Sequence, residues 1–172
     1  MPLLTDYSRY VDAQRHCSKD RLWELFDGDR ANLNIAHECL DRHPRDRVAV
    51  RIAIAAGGSE SFTYGELSDW SGRYANYLRA QGIAPGDRVA LMVEPSLAFY
   101  AALYGAMKAG CVAVPLFTLF GPDGLRLRLD DCQPKLLLLA PEKAALAGSA
   151  DCKVAIADDE FIAMLENHET AF

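Results

Sequence analysis

No apolar run in the sequence approaches the roughly 18 residues that a membrane-spanning helix needs, so nothing in it asks for a bilayer. It also lacks a block of like charge. Its 18 Lys and Arg are interspersed with 24 Asp and Glu, giving a formal net charge of −6 and no basic face for a nucleic-acid partner. Cysteine pairing is missing too: Cys17, Cys39, Cys111, Cys132 and Cys152 form no C-x-x-C, and the odd count suits reduced thiols and the cytoplasm. Residues 1–12 mix charged and polar groups with short apolar ones, unlike an export signal. There is no internal repeat and no low-complexity tract.

Several common site motifs are absent as well. No G-x-G-x-x-G follows a strand-like run, and neither G-x-x-x-x-G-K-[ST] nor G-x-S-x-G occurs, which removes the dinucleotide, P-loop and hydrolase readings. His37-Glu38 begins like a zinc-protease helix, but Asp41 stands where the second histidine is needed and His43 lies off the i, i+4 face. Asp130-Asp131 ends a segment carrying Arg126 and Arg128, where solvated charge is the simpler reading than a metal pair.

What remains is the composition of a folded domain, with 51% hydrophobic and 24% charged residues in 172. Residues 1–44 read as a helical extension. Within it, Ile35, Cys39 and Leu40 recur near helical spacing over 34–43, and Pro44 discourages continuation. From Arg47 the β-branched residues predict a strand, Gly57-Gly58 a turn, and Ser61-Phe62-Thr63 the returning strand of a hairpin. Thr63 and Glu66 have capping-box spacing, so a helix is predicted to start there. Leu67, Trp70, Tyr74, Tyr77 and Leu78 form its expected buried stripe, Asp69, Arg73 and Arg79 face outward, and Gly82 ends it.

Beyond Gly82, strands and helices alternate at crossover length. Strands are predicted at 88–93, 111–114, 135–139 and 152–156, with helices over 97–108 and 122–132 and from Pro141 and Asp158. The helix over 97–108, capped by Ser96, is apolar nearly all round and is expected to be largely buried. Right-handed βαβ units then predict an α/β fold for residues 45–172: doubly wound, with a mostly parallel sheet and helices on both faces.

Ligands of such sheets bind beyond the carboxyl ends of the strands. The loop there that stands out is Pro115-Leu116-Phe117-Thr118-Leu119-Phe120-Gly121-Pro122-Asp123, which puts aromatic residues and backbone donors between a strand end and a helix start. Its N–H groups favour a phosphate, and Phe117 or Phe120 can cover an apolar or ring-shaped group. The competing reading is that both Phe side chains plug the core while Pro122 merely starts a helix.

Three stretches, in order, carry a family resemblance. Phe62-Thr63-Tyr64-Gly65-Glu66-Leu67 looks like the F-T-Y-x-E-L signature of adenylate-forming enzymes, Pro85-Gly86-Asp87-Arg88-Val89-Ala90 fits their P-G-D-R-V segment, and the stretch from Lys108 to Leu116 is similar to K-x-G-x-x-x-V-P-L. The segments 32–36, 39–43 and 117–123 resemble the acetyl-CoA and medium-chain acyl-CoA synthetase branch. The resemblance implies an N-terminal portion of an AMP-forming acyl-CoA synthetase. Such enzymes use ATP and magnesium to turn a carboxylic acid into an acyl-adenylate, then pass the acyl group to coenzyme A. It further implies that the phosphate-binding loop and the adenine, ribose and lysine motifs follow Phe172, so that no catalytic residue lies in this chain and in isolation it has no ligase activity. Phe117, Thr118 and Leu119 match a loop near coenzyme A in the acetyl-CoA synthetase branch, which has glycines where this chain has Thr118 and Leu119. Other adenylate-formers, such as a fatty acyl-AMP ligase or a peptide-synthetase adenylation domain, share the Phe62 and Lys108 motifs. A flavodoxin-like binding module is the rival from another class.

Overall fold

The computed structural model describes residues 2–55 and 57–172. Met1 and Ala56, which enter the readings of the first residues and of the loop after the first strand, lie outside them. The first 44 residues form short pieces: 3-10 turns at Leu4–Asp6 and Arg21–Leu25, helix α1 at Tyr10–His16, and a π-helical turn at His37–Asp41. In that last turn the expected apolar face is corrected. Ile35 is 44% exposed and Cys39 is exposed, whereas Ala36 and Leu40 are buried. Polar ties choose the face: Asn34 Nδ2 donates to the Met107 and Lys108 carbonyls at 3.3 Å, and Asp41 takes the Lys108 ammonium at 2.8 Å. With both ends fixed, the i, i+4 pair Ala36 and Leu40 turns inward.

Strands β1 (Val48–Ala53) and β2 (Ser59–Thr63) pair as an antiparallel hairpin, with a bulge between Val48 and Val50. Gly57 and Gly58 make the turn at φ of 105° and 91°, the left-handed region that disfavours other residues. Helix α2 (Tyr64–Ala80) starts on the expected capping box: Thr63 Oγ1 accepts from the Glu66 N–H at 3.2 Å, and Glu66 Oε2 accepts from the Thr63 N–H at 2.8 Å. Leu67, Tyr74, Tyr77 and Leu78 are buried as the stripe requires, and Trp70 is half-buried.

The sheet comprises β3 (Arg88–Met92), β4 (Val112–Pro115), β5 (Leu136–Leu139) and β6 (Lys153–Ile156), all parallel, in the order β4-β3-β5-β6. Between them run α3 (Leu97–Lys108), α4 (Pro122–Cys132) and a 3-10 segment at Pro141–Ser149, and α5 (Asp159–Leu165) follows. Alternation along the central strands divides the core. Val89, Leu91, Leu136 and Leu138 face α2, α3 and α5, whereas Ala90, Met92, Leu137 and Leu139 face α4 and the 3-10 segment. Each of the four buried β5 leucines contributes about 1.5–3 kcal/mol. The doubly wound reading holds, since helices cover both faces of a parallel sheet.

Helix α3 departs from expectation in which residues it buries. Ala98, Ala101, Ala102, Gly105 and Ala106 are buried, and the larger Phe99, Tyr100, Leu103, Tyr104 and Met107 are only half-buried. The cause is a close crossing of α2: a Cβ on Gly105 would sit 2.7 Å from the Ser71 carbonyl oxygen and 2.8 Å from Tyr74 Cβ. Only small residues fit that contact.

Candidate functional site

The family-like motifs of the sequence meet mainly at the amino ends of the strands, where they brace one another. Gly86 N–H donates to the Gly110 carbonyl at 2.8 Å, Val112 N–H to the Asp87 carbonyl at 2.8 Å, and Ala84 N–H to Asp87 Oδ2 at 2.9 Å. Lys108 is 10% exposed at its side chain and saturated by Asp41, the Ser68 carbonyl at 3.1 Å and Ser68 Oγ at 3.3 Å. Its charge is spent on tying α3 to α2 and the π-helical turn, so it is a structural lysine. A groove of about 520 Å³ also lies at this end, between Arg88, Gln133, Lys135 and Asp151. Arg88 is already engaged there, its guanidinium donating to the Cys132 and Gln133 carbonyls at 2.8 and 2.7 Å.

The opposite, carboxyl end is where an open parallel sheet presents ligands. The chain runs from β3 through α3 to β4 on one side, then crosses back to β5, so the strand order reverses between β3 and β5. Glu94 follows β3 and the 117–121 loop follows β4. Thr118 is 7% exposed and its hydroxyl donates to Glu94 Oε1. With Thr118 turned in, its neighbours turn out: Phe117 is 60% exposed and Leu119 75% exposed. Phe120 takes the other path, packing on the α4 side of the core with the Arg128 guanidinium 4.2 Å from its ring centre. Phe117 rests edge-on against it, with ring centres 5.8 Å apart. The two readings of this loop therefore divide by residue. Phe120 joins the core, and Phe117 faces solvent.

Gly121 precedes α4 with no side-chain cap, and Pro122 supplies the first helical residue, so the early N–H groups of α4 face the loop. The result is an outward pair of apolar side chains beside backbone donors, the kind of surface that takes an apolar arm next to a phosphate. Glu94 was not legible as a site residue. Its only signal is that it is the first charged residue after a fully buried strand and stands just before the Ser96 cap.

Elsewhere the charged groups serve the fold. Burial pushes the Glu38 carboxyl up, but hydrogen bonds from the Gly28 and Asp27 N–H groups and from Arg42 outweigh this and hold it below the usual carboxylate range. His37 Nε2 lies 3.0 Å from Asp27 Oδ2. Among the described residues no group of three or more His, Cys, Asp or Glu is placed to hold a metal ion, and no helix is long and apolar enough to cross a membrane. No magnesium ligand is therefore assigned here.

Comparison with known proteins agrees with this architecture. The acetyl-coenzyme A synthetase of Bradyrhizobium diazoefficiens is 35% identical over 138 residues, covering 73% of this chain and 21% of that protein. That of Rhodobacter capsulatus is 37% identical over 116 residues, covering 63% of this chain and 17% of that protein. The chain thus spans about a fifth of the length of the curated relatives it matches. Among solved structures, an acyl-CoA synthetase of Brucella canis superposes with a TM-score of 0.85 at 26% identity, over 96% of this chain and 33% of that one. Apo MatB of Rhodopseudomonas palustris superposes with a TM-score of 0.66 at 28% identity, over 81% of this chain and 29% of that one. A sequence profile described as AMP-binding enzyme matches residues 36–171, and the chain belongs to that family.

Proposed function

We propose that residues 1–172 are the N-terminal portion of an AMP-forming acyl-CoA synthetase, arranged as a helical extension over 1–44 and an α/β unit over 45–172. The observation that carries this reading is the Brucella acyl-CoA synthetase, which follows 96% of this chain while this chain accounts for only 33% of it. In the proposed reaction a carboxylate oxygen attacks the α-phosphorus of ATP and pyrophosphate leaves. The thiolate of coenzyme A then attacks the acyl carbon and AMP leaves. Activation is needed because a free carboxylate is a poor electrophile, and the developing phosphate charge calls for backbone donors, lysine and magnesium. Those groups are assigned to the protein beyond residue 172, with the acid pocket. Cytoplasmic placement belongs to the same proposal.

Within this chain, Phe117, Thr118 and Leu119 are proposed to meet coenzyme A. Support comes from the outward Phe117 and Leu119, beside the α4 amino end, and from the inward Thr118 that holds them apart. The test incubates residues 1–172 with ATP, magnesium, coenzyme A and a panel of carboxylic acids. No pyrophosphate release is expected, and release at enzymatic rates would refute the assignment of the chemistry to residues beyond 172.

A further inference from the structure

Two residues of α2 are costly where they stand. Gly72 sits in the helix interior, where glycine is less favourable than alanine, and Asn76 one turn later is a buried polar residue at 6% exposure. Both face residues 166–172, which leave α5 and run along α2. An added Cβ on Gly72 would lie 1.8 Å from the Thr170 carbonyl oxygen, and its next two neighbours are also Thr170 main-chain atoms. Asn76 Nδ2 donates its two hydrogens to the Glu169 and Ala171 carbonyls, both at 2.8 Å, and the Gly72 carbonyl lies 3.1 Å away. Arg79 Nη2 donates to Asn76 Oδ1 at 2.5 Å, which fixes the carboxamide with its amine toward the segment. The Arg79 guanidinium also lies 5.2 Å from the Phe172 ring centre, and Arg73 Nη1 donates to the Glu166 carbonyl at 2.5 Å.

Every hydrogen bond here that reaches the 166–172 segment goes to a main-chain oxygen. The main chain bends at Thr170, which draws the Glu169 and Ala171 carbonyls together, so one carboxamide nitrogen reaches both. The side chains of Glu166, Glu169 and Thr170 belong to exposed residues.

We infer that the Gly72–Asn76 face of α2 is a binding groove for the bent main chain of residues 166–172, and that it fixes their path through the backbone of Glu169, Thr170 and Ala171. The His168 and Phe172 rings add contacts to Tyr77 and Arg79. Gly72 admits the backbone, Asn76 engages alternate carbonyls, and Arg79 orients Asn76. The groove concerns how the chain is held after α5 and stands apart from the ligase proposal.

The test is 15N relaxation on the 172-residue chain. Order parameters at 169–171 are expected near ~0.85 in the wild type and below ~0.6 in G72A and in N76D, with α2 amide exchange unchanged. E169A and T170A, which alter side chains only, are expected to leave the segment rigid. Gly72→Ala favours helix, so it carries the test even where Asn76→Asp impairs folding. A rigid segment in G72A, or a mobile one in E169A or T170A, overturns the inference.

Discussion

Tyr74→Phe is expected to stabilise the protein, against the usual direction for a core substitution. Tyr74 is 0% exposed, wedged against the rings of Tyr77 and Phe161 at centroid distances of 5.8 and 6.3 Å, and its hydroxyl has no hydrogen-bond partner among the described residues. Burial, with smaller contributions from Tyr77 and Cys111, pushes its ionisation well above the ordinary tyrosine value, so the group stays neutral and unpaired. An unsatisfied buried hydroxyl costs about 1–3 kcal/mol. Removing it leaves a void of about 10–15 Å³, which at about 24 cal/mol per Å³ costs only ~0.3 kcal/mol. The net expectation is a gain of roughly 1–2.5 kcal/mol, a rise of several degrees in Tm for a domain of this size. Urea unfolding followed by circular dichroism measures it: the midpoint should rise with an unchanged slope. A midpoint lowered by the equivalent of about 1 kcal/mol would refute the reasoning, because it would mean that the hydroxyl is hydrogen-bonded.

The capping box gives a pH-dependent effect. The Glu66 carboxyl is held low by the Thr63 N–H and then by the Thr63 hydroxyl, so its contribution is present above the ordinary glutamate value of 4.5 and is lost as pH falls through the folded value. The stability difference between wild type and E66Q should therefore be larger at neutral pH than at about pH 3, and a difference independent of pH would contradict it. Gly105→Ala should cost about 1–3 kcal/mol by forcing α2 and α3 apart, read as a lowered urea midpoint. Thiol labelling under native conditions should modify Cys17 and Cys39 quickly. Burial raises the thiols of Cys111, Cys132 and Cys152; the buried Cys111 should react only on unfolding, and the half-buried Cys132 and Cys152 more slowly than Cys17 and Cys39.

The parts of this fold that were legible in the sequence are those fixed locally. Thr63 and Glu66 lie three residues apart, and the apolar runs of β3 and β5 are short, continuous and bounded by turn residues. What escaped depends on residues far apart in the chain. The small-residue face of α3 is chosen by the closeness of α2, and the inward face of the π-helical turn is chosen by Asn34 and Asp41 reaching Met107 and Lys108. Glu94 gains meaning only through Thr118, 24 positions later, and Asn76 only through carbonyls 93 and 95 positions away. The 117–121 loop was legible as a place, but which phenylalanine points outward was settled by the Thr118 hydrogen bond and by Arg128 over Phe120.

The central claim, that this chain is the scaffold portion of an acyl-CoA synthetase, is tested most directly on the protein encoded when the reading frame is followed past Phe172. That protein, given ATP, magnesium, coenzyme A and a carboxylic acid panel, should form AMP and an acyl-CoA with at least one acid. A protein that forms neither with any acid, or a reading frame that ends at Phe172, would contradict the account.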